Sequence, residues 1–296
     1  MKFPFNTRIP GRLHSIPASR HAYAGREGFT LMEVLVSSAL TLVVLSMLFG
    51  VLMGAMSAWQ TGTTRLQGNA DARMALDMIT RDLQSLVARQ TTTNQQWLVS
   101  GRIDISENSN PYGNQTTWLT FFSPSLDRDP GQEGDIVAVS YRVGYLDPMT
   151  DDANSNYKIF GLYKDMATTE DTFINALGQE DIINGFWMGR NPLARRGLIV
   201  PHVVDLDIQW HLLLADGQRA TERQYITLNN QADSTSYPAP AIRRIEAADV
   251  SLTIVSEEGA RRLQLLARSG SVTNDQLQSV VREFGRVFTK RVNIEY

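Results

Sequence analysis

Between Phe29 and Met56 the chain reads FTLMEVLVSSALTLVVLSMLFGVLMGAM, 28 residues with a single charged side chain, Glu33. A hydrocarbon core about 30 Å thick is crossed by roughly 20 apolar helical residues rising about 1.5 Å each. This run is therefore long enough to span a bilayer with some tilt. An ordinary secretory signal has an apolar stretch of about 7–15 residues closed by a small-residue cleavage site. The run exceeds that length.

The charge around the run is uneven. Lys2, Arg8, Arg12, Arg20 and Arg26 precede it against one acid, Glu27, whereas the whole chain carries −3, so everything beyond Gly28 is net acidic. Basic residues collect on the cytoplasmic side of a membrane helix. The expected topology is a single pass through the inner membrane, N-terminus cytoplasmic and C-terminal bulk periplasmic. An acidic bulk argues against a generic nucleic-acid binder, which needs a basic face for the phosphates. With no cysteine and four histidines in the chain, thiolate nucleophiles, iron–sulfur clusters and cysteine-type zinc sites are excluded. His14 and His21 fall before the run, leaving His202 and His211 for site chemistry.

Glu33 is the anomaly. A carboxylate at membrane depth costs roughly 2.5–3.5 kcal/mol even on the lenient insertion scale, softened here because Glu33 is about one turn inside the run and can snorkel. A plain signal anchor accounts for the length and the flanking charge but not for this residue. The segment Gly28-Phe29-Thr30-Leu31-Met32-Glu33-Val34-Leu35-Val36 resembles the prepilin cleavage and methylation motif of type IV pilins and type II secretion pseudopilins. Glycine, aromatic start, glutamate offset, basic leader and apolar run all coincide; the leader, residues 1–28, is long for that family. The resemblance implies that a prepilin peptidase cuts between Gly28 and Phe29 and N-methylates Phe29. Glu33 is then the fifth residue of the product, where the family places its glutamate. It also implies partners: other pilin or pseudopilin subunits and an inner-membrane assembly platform driven by a cytoplasmic ATPase. Pairing of Glu33 with the free amine of a neighbouring Phe29 would favour the correct axial register, because an unpaired buried charge is costly.

Beyond Met56 the polarity changes while helical character continues. Ala72, Leu76, Ile79, Leu83 and Leu86 recur at steps of four and three, which predicts an amphipathic helix over residues 57–90. Gly62 and Gly68 predict a kink or local melting at its start. Asp77 and Arg81 stand at a favourable i,i+4 spacing. The stretch from Arg73 to Leu83 is also similar, more loosely, to the post-anchor segment of large minor J-type pseudopilins. In residues 91–296, short apolar runs bounded by turn residues predict strands over Thr117–Ser123, Asp135–Val143, Lys158–Lys164, Val203–Leu214, Arg223–Leu228 and Ala247–Ser256. Short helices are expected over Glu257–Arg268 and Asn274–Gly285, and a last strand over Val287–Ile294. The expected class is α+β: a long N-terminal helix, transmembrane in its first half and amphipathic in its second, packed on a mostly antiparallel sheet in the pilin manner.

The bulk offers little catalytic chemistry. His202 and His211 lack metal-ligand spacing, and no nucleotide-binding glycine loop or serine elbow is present. Asp147, Asp151, Asp152 and Asn154 form an acidic loop of hard oxygen ligands, the one calcium candidate beside a second acidic loop from Asp127 to Asp135. The calcium-loop pattern fails where glycine and glutamate are required, so solvated turns are the reading adopted. The pairs Arg195/Arg196, Arg243/Arg244 and Arg261/Arg262 lie among acids, and Trp118, Phe121, Phe122, Tyr141, Trp187 and Trp210 are expected in the core or at subunit contacts. The expected function is structural: a minor pilin or pseudopilin, not an enzyme, with no cofactor. A signal-anchored periplasmic enzyme or ligand-binding domain, or a DNA-binding uptake pilin, is the alternative.

Overall fold

Helix α1 runs from Leu31 to Gln84. Its sequence has no proline, and neither Gly62 nor Gly68 interrupts it. The helix does not melt there because glycine keeps its backbone N–H: it weakens a helix by roughly 1 kcal/mol but can still extend the hydrogen-bond ladder. The computed structural model describes residues 28–88, 95–104, 115–125, 134–147, 158–188, 197–223, 225–229, 242–269 and 273–294. By internal contacts the chain divides into Met1–Ala58 and Trp59–Tyr296. In the first unit, α1 buries none of its side chains.

The second unit begins within α1 and continues through β1 (Gln96–Asp104), β2 (Gln115–Pro124), β3 (Ile136–Leu146) and β4 (Ile159–Met166). A single turn, α2 (Thr169–Asp171), then leads into π-helical turns at Thr172–Ala176 and Ile183–Trp187. After these come β5 (Leu198–Pro201), β6 (Val203–Leu214), β7 (Arg219–Glu222), β8 (Tyr225–Asn229) and β9 (Ile242–Val255). Helices α3 (Glu257–Ser269) and α4 (Asn274–Phe284) precede the last strand, β10 (Gly285–Asn293). Thr273 opens α4 with a capping box, its hydroxyl taking the Gln276 N–H while the Gln276 side chain takes its own.

The strands form two sheets, ordered β5-β4-β3-β2-β1-β8 and β10-β9-β6-β7, and every pairing among the described strands is antiparallel. In the six-stranded sheet, register aligns Ser100, Leu119, Tyr141 and Lys164 across four strands. Trp210 of β6 donates its indole N–H to Ser100 at 3.1 Å, and Tyr141 and Lys164 reach α1. The amphipathic end of α1 and the four-stranded sheet therefore cover the same face. On the opposite face Trp187 donates to Thr120 at 2.6 Å, and Trp118 donates to Ser140 at 2.6 Å. Covered on both sides, β2 and β3 bury consecutive residues instead of alternate ones. In β6 the alternation survives: Leu206, Ile208, Trp210, Leu212 and Leu214 are buried and the residues between them half-exposed.

The helix expected over residues 57–90 stops at Gln84; Ala72, Leu76, Ile79 and Leu83 of the predicted stripe are in the core on α1, and Leu86 joins them from the non-helical chain just beyond it. The six aromatics expected in the core, Trp118, Phe121, Phe122, Tyr141, Trp187 and Trp210, are there. Asp77 makes an ion pair with Lys290 of β10 at 2.6 Å, a partner brought in by the fold, and the Arg81 charge one turn away acts on it in the same direction.

Candidate functional site

Backbone hydrogen bonding gives α1 a defined start. Gly28 and Phe29 are exposed and outside any helix or strand, and the helix begins two residues after Phe29. Thr30 accepts the Glu33 N–H through both its carbonyl, at 3.0 Å, and its hydroxyl, at 3.3 Å. Thr30 is thus the N-cap, a role that the spacing Thr-x-x-Glu signals and the sequence reading had missed. Glu33 lies in the first turn, where the unpaired N–H groups and the helix dipole favour a negative charge.

From there the helix presents an apolar surface all round. The segment Leu31–Gln60, 30 residues whose most apolar 18-residue stretch has mean hydropathy 2.4, is the one helix among the described residues long and apolar enough to cross a membrane, and none of that surface is buried. Its hydroxyls do not break the apolar surface. Ser37, Ser38, Thr41 and Ser46 donate to the helix's own carbonyls at Val34, Leu35, Ser37 and Val43, over 2.7–3.0 Å. In a medium without water, that internal satisfaction removes the cost of an orphaned donor.

In the second unit, four side-chain contacts among the described residues hold the amphipathic end of α1 and the residue that follows it. Asp82 accepts from the Tyr141 hydroxyl and from the Lys164 ammonium, each at 2.6 Å. Asp77 pairs with Lys290, and Ser85 bonds Ser123 at 2.7 Å. The Lys290 hydrogen bond, then its charge, holds the Asp77 carboxyl below its ordinary pKa. Burial, reinforced by the Asp82 charge, pushes the Tyr141 hydroxyl far upward, so it remains a donor at any ordinary pH.

The remaining candidates are scattered. Asp147 is buried just after β3; Asp151, Asp152 and Asn154 lie outside the described residues, as do residues 1–27 of the leader. Among the described residues no group of three or more histidine, aspartate or glutamate side chains is arranged to hold a metal. His211 points away from Trp210, as alternation predicts, and its Nε2 meets Asp249 at 2.8 Å. His202 is the only non-glycine described residue with positive φ, 65°. Its N–H donates to Phe160 and its carbonyl accepts from Val255, tying one sheet to the other. Its Nδ1 is buried without a hydrogen-bond partner, and burial holds its pKa below the ordinary value against the opposing charge of Glu257. Arg244, Arg261 and Arg262 pair with Glu246, Glu257 and Glu283, so these arginines do not combine into a free basic face.

These features define an α+β protein whose N-terminal helix carries an exposed apolar segment of membrane-spanning length. No family model, curated protein or solved structure matches the chain.

Proposed function

We propose that this chain is a minor pilin or pseudopilin, a structural subunit stored in the inner membrane and assembled into a filament after cleavage between Gly28 and Phe29. The observation that carries the reading is the pairing of motif and helix. Gly28 and Phe29 are exposed, Thr30 caps α1, Glu33 sits in its first turn, and the next 27 residues of the span expose apolar side chains that a filament core or a bilayer would cover. An apolar surface of this extent is unfavourable in water and marks an interaction surface. In assembly the helix leaves lipid and packs on its neighbours, with Glu33 taking the amine of an adjacent Phe29 as a register check.

Its partners in this reading are a prepilin peptidase, other pilin or pseudopilin subunits and an inner-membrane platform. The domain beyond α1 faces the periplasm and performs no catalysis of its own.

Mass spectrometry of the N-terminal peptide from membrane-extracted protein tests the proposal. It expects a peptide starting at N-methylated Phe29. An intact Met1 end, or cleavage near Met56, overturns it in favour of a signal-anchored enzyme or binding domain. Glu33→Ala is expected to be processed normally and to enter filaments poorly; normal incorporation would remove the register role.

A further inference from the structure

The chain has five tryptophans, and four of them are interior residues. Trp97, Trp118, Trp187 and Trp210 expose at most 4% of their surface. Trp118, Trp187 and Trp210 each donate the indole N–H to a serine or threonine, and Trp97 stands edge-on to Phe122. Trp59 differs from all of them: it is 78% exposed.

We propose that Trp59 is a lipid-interface anchor that sets the depth of α1 in the bilayer, its ring resting among the headgroups at the end of the span remote from Glu33. The inference rests on the reading that Leu31–Gln60 crosses a membrane and adds where it stops. An indole has a broad apolar body and one N–H donor, so it is accommodated best where apolar and hydrated media meet.

Three observations place that boundary at Trp59. Leu52, Met53 and Met56 on its N-terminal side are exposed and apolar. The residues that follow, Gln60, Thr61, Gly62, Thr63 and Thr64, contain no large apolar side chain. Length supplies the third. Thirty residues rise about 45 Å, and a bilayer with its headgroup layers measures about 40–45 Å. A span this long overshoots the hydrocarbon, so its two ends belong in the interfaces. One end carries the Glu33 carboxylate in the first helical turn, and the other carries Trp59 as its penultimate residue. The carboxylate then sits at headgroup level in the subunit awaiting assembly, not at the bilayer centre.

The burial of the other four indoles makes the test direct. The full-length protein is reconstituted into phosphatidylcholine vesicles containing lipids brominated either near the carbonyl end or near the methyl end of the acyl chain. The shallow bromines are expected to remove up to about one fifth of the total tryptophan emission, one indole of five, and the deep bromines less. In Trp59→Phe that loss should vanish, while the emission of the buried indoles is unchanged. Stronger quenching by the deep bromines, an equal loss in Trp59→Phe, or no quenching of protein that floats with the vesicles overturns the anchor and leaves the membrane span standing. Failure to float with the vesicles overturns the span itself, and the anchor with it.

Discussion

Asp77 on α1 and Lys290 on β10 are 213 positions apart in the chain and 2.6 Å apart in the fold. The contact joins the first element of the described structure to its last strand. Both side chains remain substantially exposed, 61% and 44%, so solvent screens the pair and its effect on stability is modest.

That pair has a pH signature. The Asp77 carboxyl titrates below 3.8 in the folded protein, because Lys290 first bonds it and then attracts its charge. A depressed carboxylate stabilises the fold fully above its unfolded pKa, and the contribution disappears as pH falls through the folded pKa. Asp77→Asn should therefore lower Tm slightly at neutral pH and leave it unchanged at a pH below the folded pKa. Thermal unfolding of the two proteins across an acid series measures this; a constant gap at all pH values would exclude the pair as its source.

Asp82 is a stronger tether because both of its partners are largely shielded. The Asp82 and Lys164 side chains are 20% and 22% exposed, and Tyr141 is buried. Removing a donor from a charged acceptor costs about 1.5–3 kcal/mol. Tyr141→Phe should destabilise the second unit by that amount in chemical denaturation, with a double-mutant cycle against Lys164→Met giving a non-zero coupling through the shared carboxylate. Independent, additive losses would show that Asp82 does not link them.

The two ends of α1 should respond oppositely to truncation. Leu83 is fully buried, and Leu83→Ala should cost about 2–5 kcal/mol through lost transfer energy and a residual cavity. Leu42 is 67% exposed, and Leu42→Ala should change the unfolding of the second unit by less than about 0.5 kcal/mol. Parallel denaturation curves in detergent test the contrast. Equal losses would mean that the apolar end of the helix also contributes to that core.

His202 makes the fold acid-sensitive. Its pKa lies below the ordinary 6.5 because burial disfavours the imidazolium, with the Glu257 charge opposing that shift. The unfolded chain then takes up the proton more readily than the native one. Stability should fall as pH drops below 6.5 and level off once the folded pKa is passed. His202→Asn removes the titrating ring and keeps a residue that tolerates left-handed backbone. The variant should flatten the stability profile over this window, read as Tm against pH; an unaltered slope would assign the acid sensitivity to another group.

The regions legible in the sequence are those whose environment repeats locally. The apolar run of α1 is legible from its composition and length alone, while the stripe from Ala72 to Leu83, the alternation in β6 and the spans of α3 and α4 each follow from one buried surface and one period. Strands β1, β5 and β7 escaped that reading. Strand β1 carries Trp97, Leu98 and Val99 in succession with no alternation, since both of its sides are covered. Strands β5 and β7 have four residues each, too short to display a period, and β7 is the polar sequence Arg-Ala-Thr-Glu. Of the candidate site, Gly28, Phe29 and Glu33 were singled out by the resemblance to the prepilin motif, while the Thr30 cap required the backbone to be seen.

The division of the β region into two sheets belongs to the same class. The sequence by itself determined that residues 29–56 seek a medium other than water and that the following helix buries one stripe, because both depend on side-chain chemistry within a few turns. Tertiary structure alone decided that Asp77 pairs with Lys290, that β1 pairs with β8 more than a hundred residues later, and that Trp187 and Trp210 cover opposite faces of one sheet. Such choices are made by the joint burial of distant surfaces, and no local window contains both partners.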